Sequence, residues 1–186
     1  MKTIVFFLEE HSAREMLQGL LPKLGILNDR VKYVVFQGKQ HLEKELVKRL
    51  RGWELPDSVF VVMRDQDSGD CTAVKQKLTG LCQQAGREDV LVRIACHELE
   101  SFYIGDLKAV ENGLGITGIA AKQNKSKFRN PDNLANPSEE LGKLTGGAYQ
   151  KISGSRKMGK HLDPARNCSP SFTVLVSGIR KLMGAS

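Results

Sequence analysis

Residues Val61–Asp70 read VVMRDQDSGD, an apolar run that closes on two acids one residue apart. With Val59 and Phe60 ahead of it, the run reads as a buried strand, because its hydrophobicity is continuous rather than alternating. In extended chain, residues i and i+2 point to the same side. Asp65 and Asp67 are therefore expected to face one point in space at the carboxyl end of that strand.

Strands of the same kind recur on either side. Thr3–Leu8 (TIVFFL), Val31–Phe36 (VKYVVF) and Val90–Ala95 (VLVRIA) are short apolar runs rich in β-branched and aromatic residues. Helical patterns fill the gaps. Ser12 and Glu15 have capping-box spacing ahead of a stripe of Met16, Leu17, Leu20, Leu21 and Leu24. Residues 38–51 turn Leu42, Leu46, Val47 and Leu50 to one side, and residues 72–86 do the same with Val74, Leu78, Leu81 and Cys82. Strands separated by helices specify βαβ units, hence an α/β fold with a parallel four-stranded sheet flanked by helices. Such sheets bind ligands outside the carboxyl ends of their strands.

Three of the four strands end in acids. The first runs into Glu9 and Glu10, the third into Asp65 and Asp67, and the fourth into Glu98 and Glu100 within CHELESFY; the second ends in Gln37, Gly38 and Lys39. In a doubly wound sheet the first, third and fourth strands are near neighbours, ~4.8 Å apart. Two like charges ~4 Å apart repel by roughly 4 kcal/mol at an effective dielectric of 20. Such a cluster takes up a proton or a cation. Oxygen ligands without a His/Cys set favour Mg²⁺ or Mn²⁺ over zinc. His11 and His97 read as loop or cap residues, and His41 and His161 carry no signal.

The 186 residues carry a net charge of +7, unevenly placed. Residues 1–121 hold 16 Lys/Arg against 17 Asp/Glu, and residues 122–186 hold 12 against 4, so the excess lies in the last third. That asymmetry points to an acidic partner, nucleic acid first. A division follows: an α/β core over residues 1–112, and a basic loop and helical subdomain over 113–186 packed on it. Residues 113–136, rich in Gly, Asn and Lys, read as a long mobile loop; residues 137–144 and 171–183 read as helices. The four cysteines, at 71, 82, 96 and 168, lack CxxC spacing and suit reduced thiols in the cytoplasm. No apolar run approaches the ~20 residues that cross a bilayer. The apolar start MKTIVFFLEE meets two glutamates at once and reads as a first strand, not a signal peptide.

In this order, LEEHSAREML, FQGKQHLEKEL, VVMRDQDSGD and CHELESFYIGD resemble the Toprim fold of topoisomerases, primases and OLD-family nucleases. More narrowly, they resemble a stand-alone Toprim-like family of unknown function encoded in bacteria beside ATPases. The resemblance covers roughly residues 1–110; YQKISGS, KHLDP and RNCSPSF are compatible with the family's tail. It implies a divalent-metal-dependent nuclease, with Mg²⁺ or Mn²⁺ as cofactor, nucleic acid as substrate and an ATPase as partner. Glu9 matches the first-strand glutamate, a general acid/base or metal ligand. Asp65 and Asp67 match the metal-binding pair, and Glu98 or Glu100 matches the acid used for a second metal. Lys160 is the candidate for reaching phosphate, and Lys39, Lys122, Lys125, Lys127, Arg129, Arg156 and Lys157 with it are candidates for holding the backbone. Glu10 stands where Toprim proteins commonly have glycine, which leaves open a module that binds nucleic acid or a partner without cutting. DxDxG also resembles the start of haloacid-dehalogenase phosphatases, though there it follows the first core strand. A receiver domain is a further alternative, with glutamates in place of its usual aspartates.

Overall fold

The computed structural model describes residues 2–184. Its centre is one parallel sheet built from β1 (Thr3–Leu8), β2 (Val31–Val35), β3 (Ser58–Asp65) and β4 (Leu91–Ala95), in the order β2-β1-β3-β4. The chain steps from β1 outward to β2, then returns past β1 to β3 and on to β4. The topological switch point thus lies between β1 and β3, whose pairing runs from Thr3↔Ser58 to Leu8↔Met63. The α/β fold with a four-stranded parallel sheet flanked by helices is the one read from the apolar runs.

Both faces of the sheet are buried, which is why the strands are apolar throughout. Val5, Phe7, Phe60, Val62, Val92 and Ile94 face one layer, α2 (Lys39–Arg51) and α3 (Cys71–Gln84), through Leu42, Leu46, Leu50, Leu78 and Cys82. Ile4, Phe6, Leu8, Val61, Met63 and Ala95 face the other. That layer holds α1 (His11–Leu20), α4 (Glu100–Ile104), α5 (Leu107–Leu114), α8 (Lys151–Gly159) and α9 (Pro170–Met183). One continuous core therefore joins Ile4 to Ile179, and α5 runs through residue 112.

Two local readings are corrected. Ser12 and Glu15 form no capping box: Glu10 is the N-cap of α1, Ser12 Oγ donates to Glu10 Oε2 at 3.2 Å, and Glu15 is drawn instead to Arg156. Residues 113–136 are not a loop. After α5 come a 3₁₀ turn (Ala120–Asn124), α6 (Ser126–Arg129) and a second 3₁₀ turn (Pro131–Asn133), then α7 (Pro137–Leu144). Ile119, Phe128 and Pro131 anchor this segment, and the Gln123 amide ties it down by donating to Ile104 O and Phe128 O while accepting from Leu107 N.

Helix α8 lies parallel to α1 at very short range. Residue pairs Glu10–Lys151 and Glu15–Arg156 meet along the two helices. Near their far ends the Gly159 backbone packs on that of Met16, and the Gly19 backbone on that of Gly159 and Lys160. A β-carbon at Gly159 would meet the Met16 carbonyl oxygen at 2.5 Å. Helix propensity alone favours alanine over glycine by about 1 kcal/mol. Gly159→Ala is nevertheless expected to destabilise by roughly 1–3 kcal/mol, because two backbones must separate. Urea denaturation measures this, and a stabilised G159A protein would contradict the close approach.

Candidate active site

The acids gather at the switch point. Glu9 continues β1 beside the end of β3, its N–H donating to Met63 O at 3.3 Å and its carboxylate Oε2 accepting from Asp65 N at 3.1 Å. Asp65 lies on the face of β3 that carries Val61 and Met63, toward α1 and α8. Glu100 opens α4 on the same side, 1% exposed. Its Oε1 accepts from the Tyr149 hydroxyl at 2.7 Å, and its Oε2 is buried without a hydrogen-bond partner. A cavity of ≈ 10 Å³, about the room of one water or ion, is enclosed by Glu9, Glu10, Ser12, Asp65 and Leu99 among others.

Asp67 takes another direction. Beyond Asp65 the strand ends, and Asp67 adopts φ 55, a left-handed conformation that aspartate tolerates. Its backbone N–H donates to His97 O at 2.7 Å, and its carboxylate accepts from Lys39 Nζ at 2.8 Å with Arg64 NH2 at 3.7 Å. The expectation that Asp65 and Asp67 face one point fails at this turn: the two acids flank the end of β3, with Glu9 in electrostatic reach of both. Glu98 and Glu100 are likewise parted. Glu98 Oε2 accepts from Ser138 N at 2.7 Å in the first turn of α7, so Glu100 is the acid beside Asp65. Among the described residues, no group of three or more His, Cys, Asp or Glu side chains is already placed as a cation cage.

The electrostatics record the crowding. Burial, then the charges of Glu100, Glu9 and Glu10, raise the Asp65 carboxyl well above its ordinary range. Burial raises Glu9 too, partly offset by the Asp65 N–H and Arg64, and raises Glu100 against the Tyr149 hydroxyl and Lys151. Were all of them ionised, five carboxylates (Glu9, Glu10, Asp65, Asp67, Glu100) would face three cations (Lys39, Arg64, Lys151) and leave two negative charges in excess, which is the load the raised groups relieve by holding protons. Arg64, 5% exposed, shares its charge further with Glu43, which also holds Lys77.

Of the lysines on α8, the one at the site is Lys151; Lys160 is not near it. Lys151 Nζ lies 2.6 Å from Glu10 Oε2 and 2.9 Å from Oε1. Lys160 caps the opposite end of α8, beside Gly19, nine residues or ~13 Å further along the helix. Of the other basic candidates, Lys39 is held by Asp67, Lys127 by Glu140 at 2.5 Å and Arg156 by Glu15 at 2.5 Å. Lys125, Arg129 and Lys157 are exposed, and Lys122 is half-buried. Lys151 and Tyr149 escaped the sequence reading. The one signal for them, YQKISGS behind a glycine pair, does not say where the helix begins.

A family model described as a domain of unknown function, DUF4276, matches residues 8–180. No curated protein sequence matches the chain. Among solved structures, the C-terminal region of the Burkholderia pseudomallei OLD protein is similar in fold, with a TM-score of 0.55 and 17% identity over 96% of this chain and 97% of that one. No helix among the described residues is long and apolar enough to cross a membrane.

Proposed function

The chain belongs to the DUF4276 family, and from that premise we propose that it is a Toprim-like hydrolase of nucleic-acid phosphodiester bonds that works with Mg²⁺ or Mn²⁺. The observation that carries the reading is Glu100 Oε2, a buried carboxylate oxygen with no partner, in electrostatic reach of Asp65, which itself lines a cavity of ion size. Burying a carboxylate oxygen unmet is costly unless something completes it. The donors are hard oxygens that, once ionised, exceed their cations by two charges, which suits a hard divalent ion. Glu9, Asp65 and Glu100 would hold it, with Asp67 across the strand end. A bound divalent cation supplies charge neutralisation at the phosphoryl oxygens.

The rest of the work falls to the chain. Glu9, whose Oε2 accepts from the Asp65 backbone N–H, would serve as a proton acceptor in place of a ligand where Asp65 and Glu100 alone hold the ion. With both Glu10 oxygens against its ammonium, Lys151 has one further N–H to offer a phosphate oxygen. Helices α1 and α8 both begin at the site, so their dipoles favour an anion there. Lys125, Arg129 and Lys157 are available to the backbone, positioning without reading sequence. The likeness to the OLD C-terminal region supports the fold on which this rests. A partner ATPase belongs to the same proposal.

The test is cleavage of single- and double-stranded DNA and RNA with a series of divalent ions. Strand scission is expected with Mg²⁺ or Mn²⁺, stopped by chelator and weakened as salt rises. Binding of nucleic acid without scission under any ion would overturn the hydrolase in favour of a binding module.

A further inference from the structure

We propose that Glu10 is a positioning residue: its carboxylate holds the Lys151 ammonium at the rim of the acidic cavity, off Asp65 and Glu100, and so keeps that cavity open to a divalent cation. The cation part of this rests on the function proposed above; the placement of the lysine does not.

Lys151 is the first residue of α8, where the helix dipole is positive and a cation is disfavoured. The first turn of α8 has no acid and its N-cap no side-chain bond, so nothing in the helix itself holds the ammonium there. What holds it comes from far along the chain, the Glu10 carboxylate. Three acids are near enough to attract this lysine: Glu10, Glu100 and Asp65. Among the described residues it is within ion-pair distance of Glu10 alone.

Glu10 wins for two physical reasons. It is the N-cap of α1, where negative charge is favoured, and it is fixed on that side by the Ser12 hydroxyl. It is also the wetter partner: side-chain exposure is 34% for Glu10 and 47% for Lys151, while Glu100 is 1% exposed. Pairing at the rim spares the ammonium the desolvation that pairing with Glu100 would require. Glu10 lines the same ≈ 10 Å³ cavity as Glu9 and Asp65, so a lysine drawn inward would fill the space a cation needs. This accounts for an acid at a position where the Toprim resemblance leads one to expect glycine.

Two measurements test the proposal. The first uses metal-free protein and an amine-acylating reagent, with labelling of Lys151 read by peptide mass spectrometry. Glu10→Gln is expected to slow that labelling several-fold as the ammonium withdraws onto Asp65 and Glu100; unchanged or faster labelling overturns the positioning role. The second is Mn²⁺ affinity by calorimetry in wild type, E10Q, K151M and the double variant. E10Q is expected to weaken Mn²⁺ binding about tenfold, the scale of an outer-shell ligand partner. K151M is expected to restore it, with the double variant matching K151M. An equal loss on adding E10Q to K151M would make Glu10 a direct ligand and overturn the proposal. A wild type that binds no Mn²⁺ overturns the metal-dependent function, while the labelling rates still judge Glu10.

Discussion

Asp65→Asn is expected to abolish the divalent-ion-dependent cleavage proposed above and at the same time to raise the melting temperature of the metal-free protein. The loss of cleavage is expected to be about 10²- to 10³-fold, the scale on which one preorganised group acts in a transition state. The gain in stability follows from the same carboxylate. Burial and the charges of Glu100, Glu9 and Glu10 hold Asp65 protonated at pH values where an unfolded chain has released the proton. A group whose pKa is raised on folding contributes stability that is complete below the ordinary carboxyl range, about pH 4, and is lost as pH rises through the raised value. Above that value the charged Asp65 costs the fold energy that asparagine does not. Calorimetric melting in chelator at pH 5 and pH 8 measures this: D65N should melt above wild type, by more at pH 8. Glu9 and Glu100 shift the same way and steepen the trend, whereas Glu15, lowered first of all by its hydrogen bond to Arg156, loses its contribution as pH falls. Mn²⁺ should then raise the melting temperature of wild type and leave D65N where it was. A D65N protein that melts below wild type without metal would show that this cluster is not under electrostatic load, and the case for a cation site would go with it.

How legible this was in the sequence depended on the kind of signal. Strands buried on both faces announce themselves as unbroken apolar runs, so β1 was readable to its ends, and the stripes Leu42–Leu46–Leu50 and Met16–Leu17–Leu20 placed their helices. The switch point was readable in outline, because strand order determines which chain ends become neighbours. The directions of side chains beyond the strand ends were not. Asp67 leaves the extended conformation one residue after the pattern that placed it, and no residue type at that position forces or forbids the turn. Glu100 differs from Glu98 only in beginning a helix, which local composition does not mark. The segment 113–136 looked like a loop because its three anchors, Ile119, Phe128 and Pro131, are scattered among Gly, Asn and Lys. Its order comes from Gln123, a polar residue whose bonds to Ile104 and Leu107 reach outside the segment. Lys151 was hidden for a related reason: its meaning comes from Glu10, on another helix.

Asp106→Ala is expected to cost roughly 3–5 kcal/mol, the largest loss of stability from a residue outside the acidic site. The Asp106 side chain is 0% exposed and meets four donors. Ala109 N at 3.1 Å is the cap of α5, Asp163 N at 2.9 Å ties the segment after α8, and Arg166 Nε and NH2 at 2.7 and 2.9 Å close a two-pronged pair. Loss of the cap costs about 1 kcal/mol, and a buried N–H left unmet costs about 1–3 kcal/mol. The Arg166 side chain, 42% exposed, returns to water, so it adds less than a buried cation would. The melting temperature should fall by roughly 10 °C, since about 1 kcal/mol moves a chain of this size by 2–4 °C. Asp106→Asn, which keeps an oxygen for the cap, should lose clearly less. This clamp joins the α4–α5 turn, and so Glu100, to the segment that follows α8, and so Lys151. D106A is therefore expected to weaken Mn²⁺ binding as well, through looser placement of both groups. Denaturant unfolding of D106A and D106N together decides it: a loss below about 1 kcal/mol for alanine, or equal losses for both, would mean that the backbone donors find other partners and that the clamp does not hold the two halves of the site in register.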